Sequence, residues 1–385
     1  MEVFWVSCST KVRYCEMKTV VVSAVNLNVG GTLTILRDCL GYLSKLNANG
    51  EYRVIALVHK KNLAHFDNVE YVEIPWSKKM WVNRLWCEYV TMKKLSKRFS
   101  PVYLWLSLHD TTPNVKAQRR AVYCHNPFPF YDWRWREFSY NYKIVLFSWF
   151  SYFIYRINIH RNSHVIVQQK WIKDEFIKMF NLPMEQVVIA PPERTTSDIG
   201  SLIVKKDAPF VFFFPSSSNL HKNFETLCEA ARLLEAEIGQ DKFKVVLTVK
   251  GDENKYSHWL YGKWGDVKSI DFAGFMTKEE LFGYYKASDC LVFPSKVETW
   301  GLPITEYMEA SEDKPMLLSD LPYAHETASG SSRVCFFNPT DPKELKTRMR
   351  EMIEGNHTSL APVPKLNIEE PKADSWKELF DMLLN

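Results

Sequence analysis

Short apolar runs alternate with longer stretches of mixed polarity along most of this 385-residue chain. The first convincing run, Thr19-Val-Val-Val-Ser-Ala24, is apolar on successive positions, as a strand buried on both faces of a parallel sheet must be. Runs of this kind predict strands over 19–24, 52–58, 69–74, 102–106, 120–124 and 164–168, with a helix over 32–46 between the first two. Strand and helix in alternation imply a mostly parallel sheet. A second series predicts strands over 210–214, 244–250, 269–272, 290–293, 315–319 and 332–336. Between the two series, Ala190-Pro-Pro-Glu-Arg-Thr-Thr-Ser-Asp-Ile-Gly-Ser201 collects Pro, Ser, Thr and Gly and reads as a linker. The helix over 277–288 opens on Thr277-Lys-Glu-Glu280, a capping-box spacing, and 372–384 reads as a final amphipathic helix.

Length supports the same division, because one hydrophobic core rarely organises a chain of this size. The expected layout is a leader of uncertain order (1–16), an N-terminal Rossmann-like domain (17–189), a linker (190–208), a C-terminal Rossmann-like domain (209–362) and a tail (363–385) carrying the last helix. The apolar stretch over 144–155 has 12 residues, short of the ~20 that cross a bilayer, and no secretory signal is visible in 1–16. A net charge of +4 is too small to imply nucleic acid. Eight scattered cysteines, without a C-x-x-C pair or a histidine cluster at ligand spacing, read as buried thiols of a cytoplasmic protein and give no metal site. Aromatic content of 14%, with 13 Trp and 18 Tyr, points to sugar stacking or a membrane-facing surface as well as to core packing, and core packing accounts for most of it.

The chemistry concentrates in Glu298-Thr-Trp-Gly-Leu-Pro-Ile-Thr-Glu306, which follows the strand over 290–293. Pro303 suits the first position of a helix, so Glu298 is expected in the loop and Glu306 in the first helical turn, both facing one bound molecule. Such a pair can accept hydrogen bonds from vicinal hydroxyls, which a sugar nucleotide offers at both ends. The same turn lies at the carboxyl ends of the strands, where open α/β sheets bind ligands and helix N-termini favour anions. Lys222 stands directly after the strand over 210–214 and before a helix, a position that favours a functional lysine over a solvated one. Gly30-Gly31-Thr32 follows the first strand, and its amides can approach phosphates without side-chain obstruction. No G-x-G-x-x-G fingerprint accompanies it, which argues against a dehydrogenase.

The C-terminal half resembles the donor-binding domain of family 4 glycosyltransferases, retaining enzymes of the GT-B type. The likeness runs in order through Phe212-Phe-Phe-Pro-Ser-Ser-Ser-Asn-Leu-His-Lys-Asn-Phe-Glu225, Ile270-Asp-Phe-Ala-Gly-Phe275, Leu281-Phe-Gly-Tyr-Tyr-Lys-Ala-Ser-Asp289, the Glu298/Glu306 segment, Leu321-Pro-Tyr-Ala-His-Glu326 and Phe336-Phe-Asn-Pro-Thr-Asp-Pro342. The resemblance implies two facing Rossmann-like domains, with the C-terminal helix returning to the first. It also implies that Glu298 holds hydroxyls of the transferred sugar, Glu306 the ribose, and Lys222 with Asn223 the diphosphate. Amides of Trp300, Gly301 and Leu302 would face sugar or phosphate, Gly30 and Gly31 the phosphates, and the backbone at Gly274 and Phe275 the base. His125, at the end of a strand, aligns with a histidine near the donor sugar, and His109 is a weaker candidate of the same kind. This sequence departs from the family at Ser216-Ser217-Ser218-Asn219, where many relatives carry a phosphate-binding arginine. No Asp-x-Asp metal–diphosphate signature is present, so neither a metal nor another cofactor is expected.

These readings predict a cytoplasmic hexosyltransferase of polysaccharide biosynthesis that uses a UDP- or GDP-sugar and a glycan or lipid-linked acceptor. Its alternatives are a sugar-nucleotide epimerase and a catalytically silent nucleotide-sugar-binding subunit. Residues 76–98 add a possible partner, an anionic membrane surface. Lys78, Lys79, Arg84, Lys93, Lys94, Lys97 and Arg98 stand there against the single acid Glu88, interleaved with Trp76, Trp81, Trp86 and Tyr89 at helical spacing.

Overall fold

The computed structural model describes residues 17–28, 30–133, 135–193, 209–311 and 313–385. The expected leader and most of the expected linker lie outside the described residues. The chain divides into two compact units. The first comprises the described residues up to Asn126, with Trp149–Glu193 and Ile368–Asn385; the second comprises Pro127–Ser148 and the described residues from 209 to Asn367.

In the first unit, β1 (Lys18–Ala24), β2 (Tyr52–Val58), β3 (Glu70–Glu73), β4 (Val102–Ser107), β5 (Arg119–Cys124), β6 (His164–Val167) and β7 (Val187–Ile189) form one sheet in the order β3-β2-β1-β4-β5-β6-β7. Every neighbouring pair is parallel. The strand pattern along the sequence accounts for all but β7, whose three residues are too few to carry a period. Burial explains the continuous apolar runs. Val20 and Val22 of β1 pack with Leu36 and Leu40 of the helix Gly30–Leu46, whereas Val21 between them packs with Met92, Leu95 and Trp105 on the other face.

The last helix, Trp376–Leu384, belongs to this first unit, as the resemblance implies. Its buried residues Trp376, Leu379, Phe380, Leu383 and Leu384 form one stripe at helical spacing. Phe380 stacks on Tyr42 at 5.5 Å and Trp376 on Tyr123 at 6.1 Å, so the stripe closes the same core as the first helix.

In the second unit, β8 (Phe210–Phe214), β9 (Phe243–Leu247), β10 (Ile270–Phe272), β11 (Cys290–Phe293), β12 (Met316–Ser319) and β13 (Val334–Phe337) run parallel in the order β10-β9-β8-β11-β12-β13. All six fall where the pattern predicts them. The helix Lys278–Ala287 starts on the expected capping box. The Thr277 hydroxyl accepts from the Glu280 amide at 3.2 Å and the Glu280 carboxylate from the Thr277 amide at 2.8 Å. Chain direction through the sheet reverses between β8 and β11, which makes their carboxyl ends the switch point where a doubly wound sheet opens to ligands.

The helical spacing over 76–98 resolves into a helix Trp81–Trp86, a π-helical turn Cys87–Thr91 and a helix Met92–Arg98. The helix Phe138–Arg156 breaks at Asn141 (φ −153°, ψ 75°), and no helix among the described residues is long and apolar enough to cross a membrane. The six described cysteines are buried and free.

Candidate functional site

Two loops meet at the switch point of the second unit because the strands that precede them, β8 and β11, are neighbours. After β8 the chain runs through Ser216–Asn219 into a 3-10 turn, Leu220–Lys222, and leaves it through Asn223 in the left-handed conformation (φ 59°). Three contacts tie this loop to the one after β11. The Lys222 ammonium donates to Glu298 Oε1 at 2.6 Å, the Lys296 amide to the His221 carbonyl at 2.8 Å, and the Asn223 side-chain amide to the Pro294 carbonyl at 2.9 Å. The two residues read as the phosphate and sugar ligands therefore touch each other. Glu298 is 8% exposed and Lys222 lies against the Phe293 ring, so the pair sits in a place of low dielectric where a charge contact counts.

Asn223 serves this geometry through its side chain. Beyond Pro294 it donates to the Pro339 carbonyl at 2.7 Å and accepts from Thr226 at 3.0 Å, and its backbone amide donates to the Leu220 carbonyl at 3.1 Å, so side chain and backbone amide are both engaged in holding the loop. The loop Ser216–Asn219 folds on itself and on β9: the Ser216 amide donates to Thr248 at 2.7 Å, and the Asn254 amide reaches both the carbonyl and the hydroxyl of Ser218. Lys296, a second cation that the sequence reading passed over, lies 3.4 Å from Glu137 and 3.5 Å from Glu225. Its spacing two residues before Glu298, at a strand end like Lys222, was the available signal.

Glu306 departs from expectation in one respect. The helix begins at Leu302 on Gly301 (φ 88°), so Pro303 takes the second position and Glu306 stands just beyond the first turn. A left-handed Gly301 delays the start by one residue, and a Cβ there would press within 3.3 Å of Ile304. Glu306 accepts from the buried Tyr285 hydroxyl at 2.8 Å, a partner 21 positions away that no local spacing announces. Burial raises its carboxyl pKa, against the lowering effect of that hydrogen bond. The Trp300 carbonyl accepts from Thr327, which fixes the turn ahead of the helix. Gly274 (φ 84°) and the 91% exposed Phe275 follow β10, the edge strand two places from β8.

His221 is buried beside this loop, edge-on to Phe128 at 5.2 Å. Burial first, and then the charges of Lys222 and Lys296, push its pKa well below the ordinary histidine value, so the ring is neutral. An unfolded histidine takes up its proton near pH ~6.5. The folded ring resists protonation until lower pH, so its stabilising contribution is complete above that value and is lost as pH falls toward the folded pKa. The urea midpoint of the second unit should drop between pH 7 and pH 5, and His221→Gln should flatten that slope.

In the first unit the structure places the other expected residues at the ends of β1, β4 and β5. Gly30 and Gly31 are exposed and form the start of the helix Gly30–Leu46, one step later in the fold than the expected pre-helical turn. His125 follows β5; its amide donates to Asp110 Oδ1 at 2.8 Å and its Nε2 lies 3.8 Å from Oδ2, with Asp110 held at φ 70°. His109 is fully buried and belongs to a network: Nε2 lies 3.0 Å from the Ser23 hydroxyl, Nδ1 3.0 Å from Thr111 and 3.4 Å from Glu88. That placement gives His109 a structural role in joining β1, β4 and the turn at Thr111. Among the described residues, no cluster of His, Cys, Asp and Glu has the geometry of a metal site.

Two parallel doubly wound sheets of seven and six strands, with the last helix returned to the first, define the GT-B glycosyltransferase fold. Solved structures of this class match across most of the chain. Sucrose-phosphate synthase from Thermosynechococcus elongatus matches with a TM-score of 0.64 at 14% identity over 89% of this chain and 92% of that one. The Anabaena protein HepE in complex with UDP and glucose gives 0.62, at 14% identity with the same coverage of both chains. Residues 201–364 match the family of glycosyl transferases group 1. The O-antigen chain mannosyltransferase of Salmonella typhimurium is 23% identical over 258 residues, 66% of each protein. An uncharacterized glycosyltransferase of Methanocaldococcus jannaschii is 25% identical over 179 residues, 43% of this chain. The aligned stretches span 66% and 44% of these two relatives' lengths.

Proposed function

We propose that the protein is a retaining glycosyltransferase that moves a hexose from a UDP- or GDP-sugar to a glycan or lipid-linked acceptor in polysaccharide synthesis. The single observation that carries this reading is the 2.6 Å contact of Lys222 with Glu298 at the carboxyl ends of β8 and β11. A diphosphate would compete with Glu298 for the ammonium, and the freed carboxylate would accept from hydroxyls of the transferred sugar. Glu306 takes the ribose, and the amide-rich helix start at Gly301–Leu302 takes sugar or phosphate oxygen. The donor class draws support from HepE, solved with UDP, and the glycan acceptor from the O-antigen mannosyltransferase.

In the reaction the acceptor oxygen bonds to the anomeric carbon as the bond to the diphosphate breaks. The acceptor proton passes to a diphosphate oxygen, and attack on the face that the leaving group vacates retains the configuration. Stabilising the departing charge is the main task, which Lys222 performs without a metal. The roles of His125, Gly30 and Gly31 rest on the resemblance alone. Incubating the purified protein with a panel of UDP-, GDP- and ADP-sugars and acceptor glycans, and measuring released nucleotide, tests the reading. One donor should turn over and Glu298→Ala should abolish it. Binding without turnover on every donor would favour a silent subunit, and interconversion of the free sugar nucleotide an epimerase.

We assign residues 76–98 to an anionic leaflet on the cytoplasmic side. Trp76 packs against the core, whereas Trp81 and Trp86 are 43% and 50% exposed and support a surface role for this segment. Lys78, Lys79, Lys93, Lys94, Lys97 and Arg98 are exposed, whereas Glu88 is buried against Arg84, so the outer face carries six bases and no acid. Each base near such a surface contributes ~1 kcal/mol. Flotation with phosphatidylserine vesicles should carry the protein upward at low salt and release it at high salt. Indifference to lipid charge would remove the assignment.

A further inference from the structure

A cleft lined by aromatic and neutral polar side chains opens beside the loop that ends at Lys222. Phe128, Trp133 and Tyr140, from the segment that the second unit takes from the middle of the chain, form its aromatic walls. Ser218, Asn219 and His221 form its polar side. No lysine, arginine or carboxylate lines it among the described residues, and burial keeps the His221 ring neutral. A phosphate or carboxylate entering it would lose hydration without meeting a counter-charge. The indole Nε1–H of Trp133 is buried with no hydrogen-bond partner among the described residues. A buried donor left unpaired is destabilising, and a ligand oxygen in reach would relieve it. Flat aromatic walls, a neutral amide-and-hydroxyl edge and an unpaired donor together match a ring with apolar C–H faces and a polar hydroxyl rim.

We propose that this cleft binds an uncharged sugar ring of the acceptor glycan, packed against Tyr140, with the Trp133 indole N–H and the Asn219 amide donating to its hydroxyls. The inference rests on the transferase reading and supplies the acceptor class for it. Ser218 and Asn219 line this cleft and Lys222 ends the same loop, so a sugar held here borders the segment assigned to the leaving diphosphate.

Saturation-transfer NMR on the full chain, with a panel of neutral methyl hexosides and short neutral oligosaccharides against the corresponding 6-phosphates, tests it. A neutral saccharide should bind. Trp133→Phe, which keeps the ring but removes the donor, should weaken that binding about five-fold, and Tyr140→Ala more than ten-fold. Thermal melts check that each variant folds; Asn219→Ala, with an expected weakening of several-fold, serves if either does not. Tighter binding of the 6-phosphates, or neutral binding that all three variants leave unchanged, overturns the proposal. Titration of the same protein with UDP and GDP separates the two readings. Nucleotide binding with no saccharide binding sinks the acceptor cleft alone, whereas binding of neither sinks the transferase reading with it.

Discussion

Lys222→Ala should lower nucleotide release from the preferred donor by about 10²–10³-fold in kcat, the usual cost of removing one preorganised group that faces developing charge. Two features of the site set this size. The ammonium sits beside Phe293 and is only partly exposed, so its charge is weakly screened, and the neighbouring loop Ser216–Asn219 supplies no second cation. Lys296 cannot stand in without leaving Glu137 and Glu225. If the proposed role on the leaving diphosphate holds, kcat should fall more than donor affinity. The variant also leaves the buried Glu298 carboxylate without its cation, so a stability loss must be separated from a chemical one. Glu298→Gln does that: it keeps the shape, relieves the charge on the Lys222→Ala background and should restore folding but not turnover. A Lys222→Ala enzyme with kcat within three-fold of wild type would show that leaving-group charge is met elsewhere.

Much of this site was legible in the sequence because its parts lie at strand ends. Apolar runs located β8 and β11, and the residues just after them, Lys222 and Glu298, are the ones that meet. Periodicity located the two halves of the fold for the same reason, since a parallel sheet buries whole runs and makes them visible. What stayed hidden depends on strand order and long-range packing. The pairing of Lys222 with Glu298 spans 76 positions and follows only once β8 and β11 are neighbours. The Tyr285 partner of Glu306 lies on a different helix, and its hydroxyl is indistinguishable in sequence from that of any core tyrosine. Phe128, Trp133 and Tyr140 read as part of the first domain because they precede the linker, yet their contacts lie in the second unit. The basic aromatic segment shows the opposite error: helical spacing made all seven bases equivalent, while the π-helical turn rotates Glu88 inward and draws Arg84 after it.

That inward pair carries the largest expected stability effect. Glu88→Ala should destabilise the first unit by about 3–5 kcal/mol, because breaking a buried ion pair leaves its partners uncompensated. Glu88 is 1% exposed; it accepts from Arg84 at 2.8 Å and from the Thr111 hydroxyl at 2.7 Å, and it faces His109 at 3.4 Å. Burial alone would raise its carboxyl pKa, but the charges of Arg84 and His109 and the hydrogen bonds outweigh it, and the net shift is downward. A depressed folded pKa means that this contribution is complete above the unfolded value near pH ~4.3 and disappears as pH falls through the folded one. The urea midpoint of the first-unit transition should therefore fall in Glu88→Ala at pH 7, and the difference from wild type should shrink in strong acid. The damage should also travel. Arg84 donates to the His109 carbonyl at 2.8 Å, and the next residue, Asp110, holds the His125 amide from a left-handed turn. With Glu88 gone Arg84 loses its anchor, so the His125 amide should gain exchange with solvent before the sheet melts. A variant that unfolds at the wild-type midpoint, with that amide still protected, would mean that the network fills space without fixing the turn.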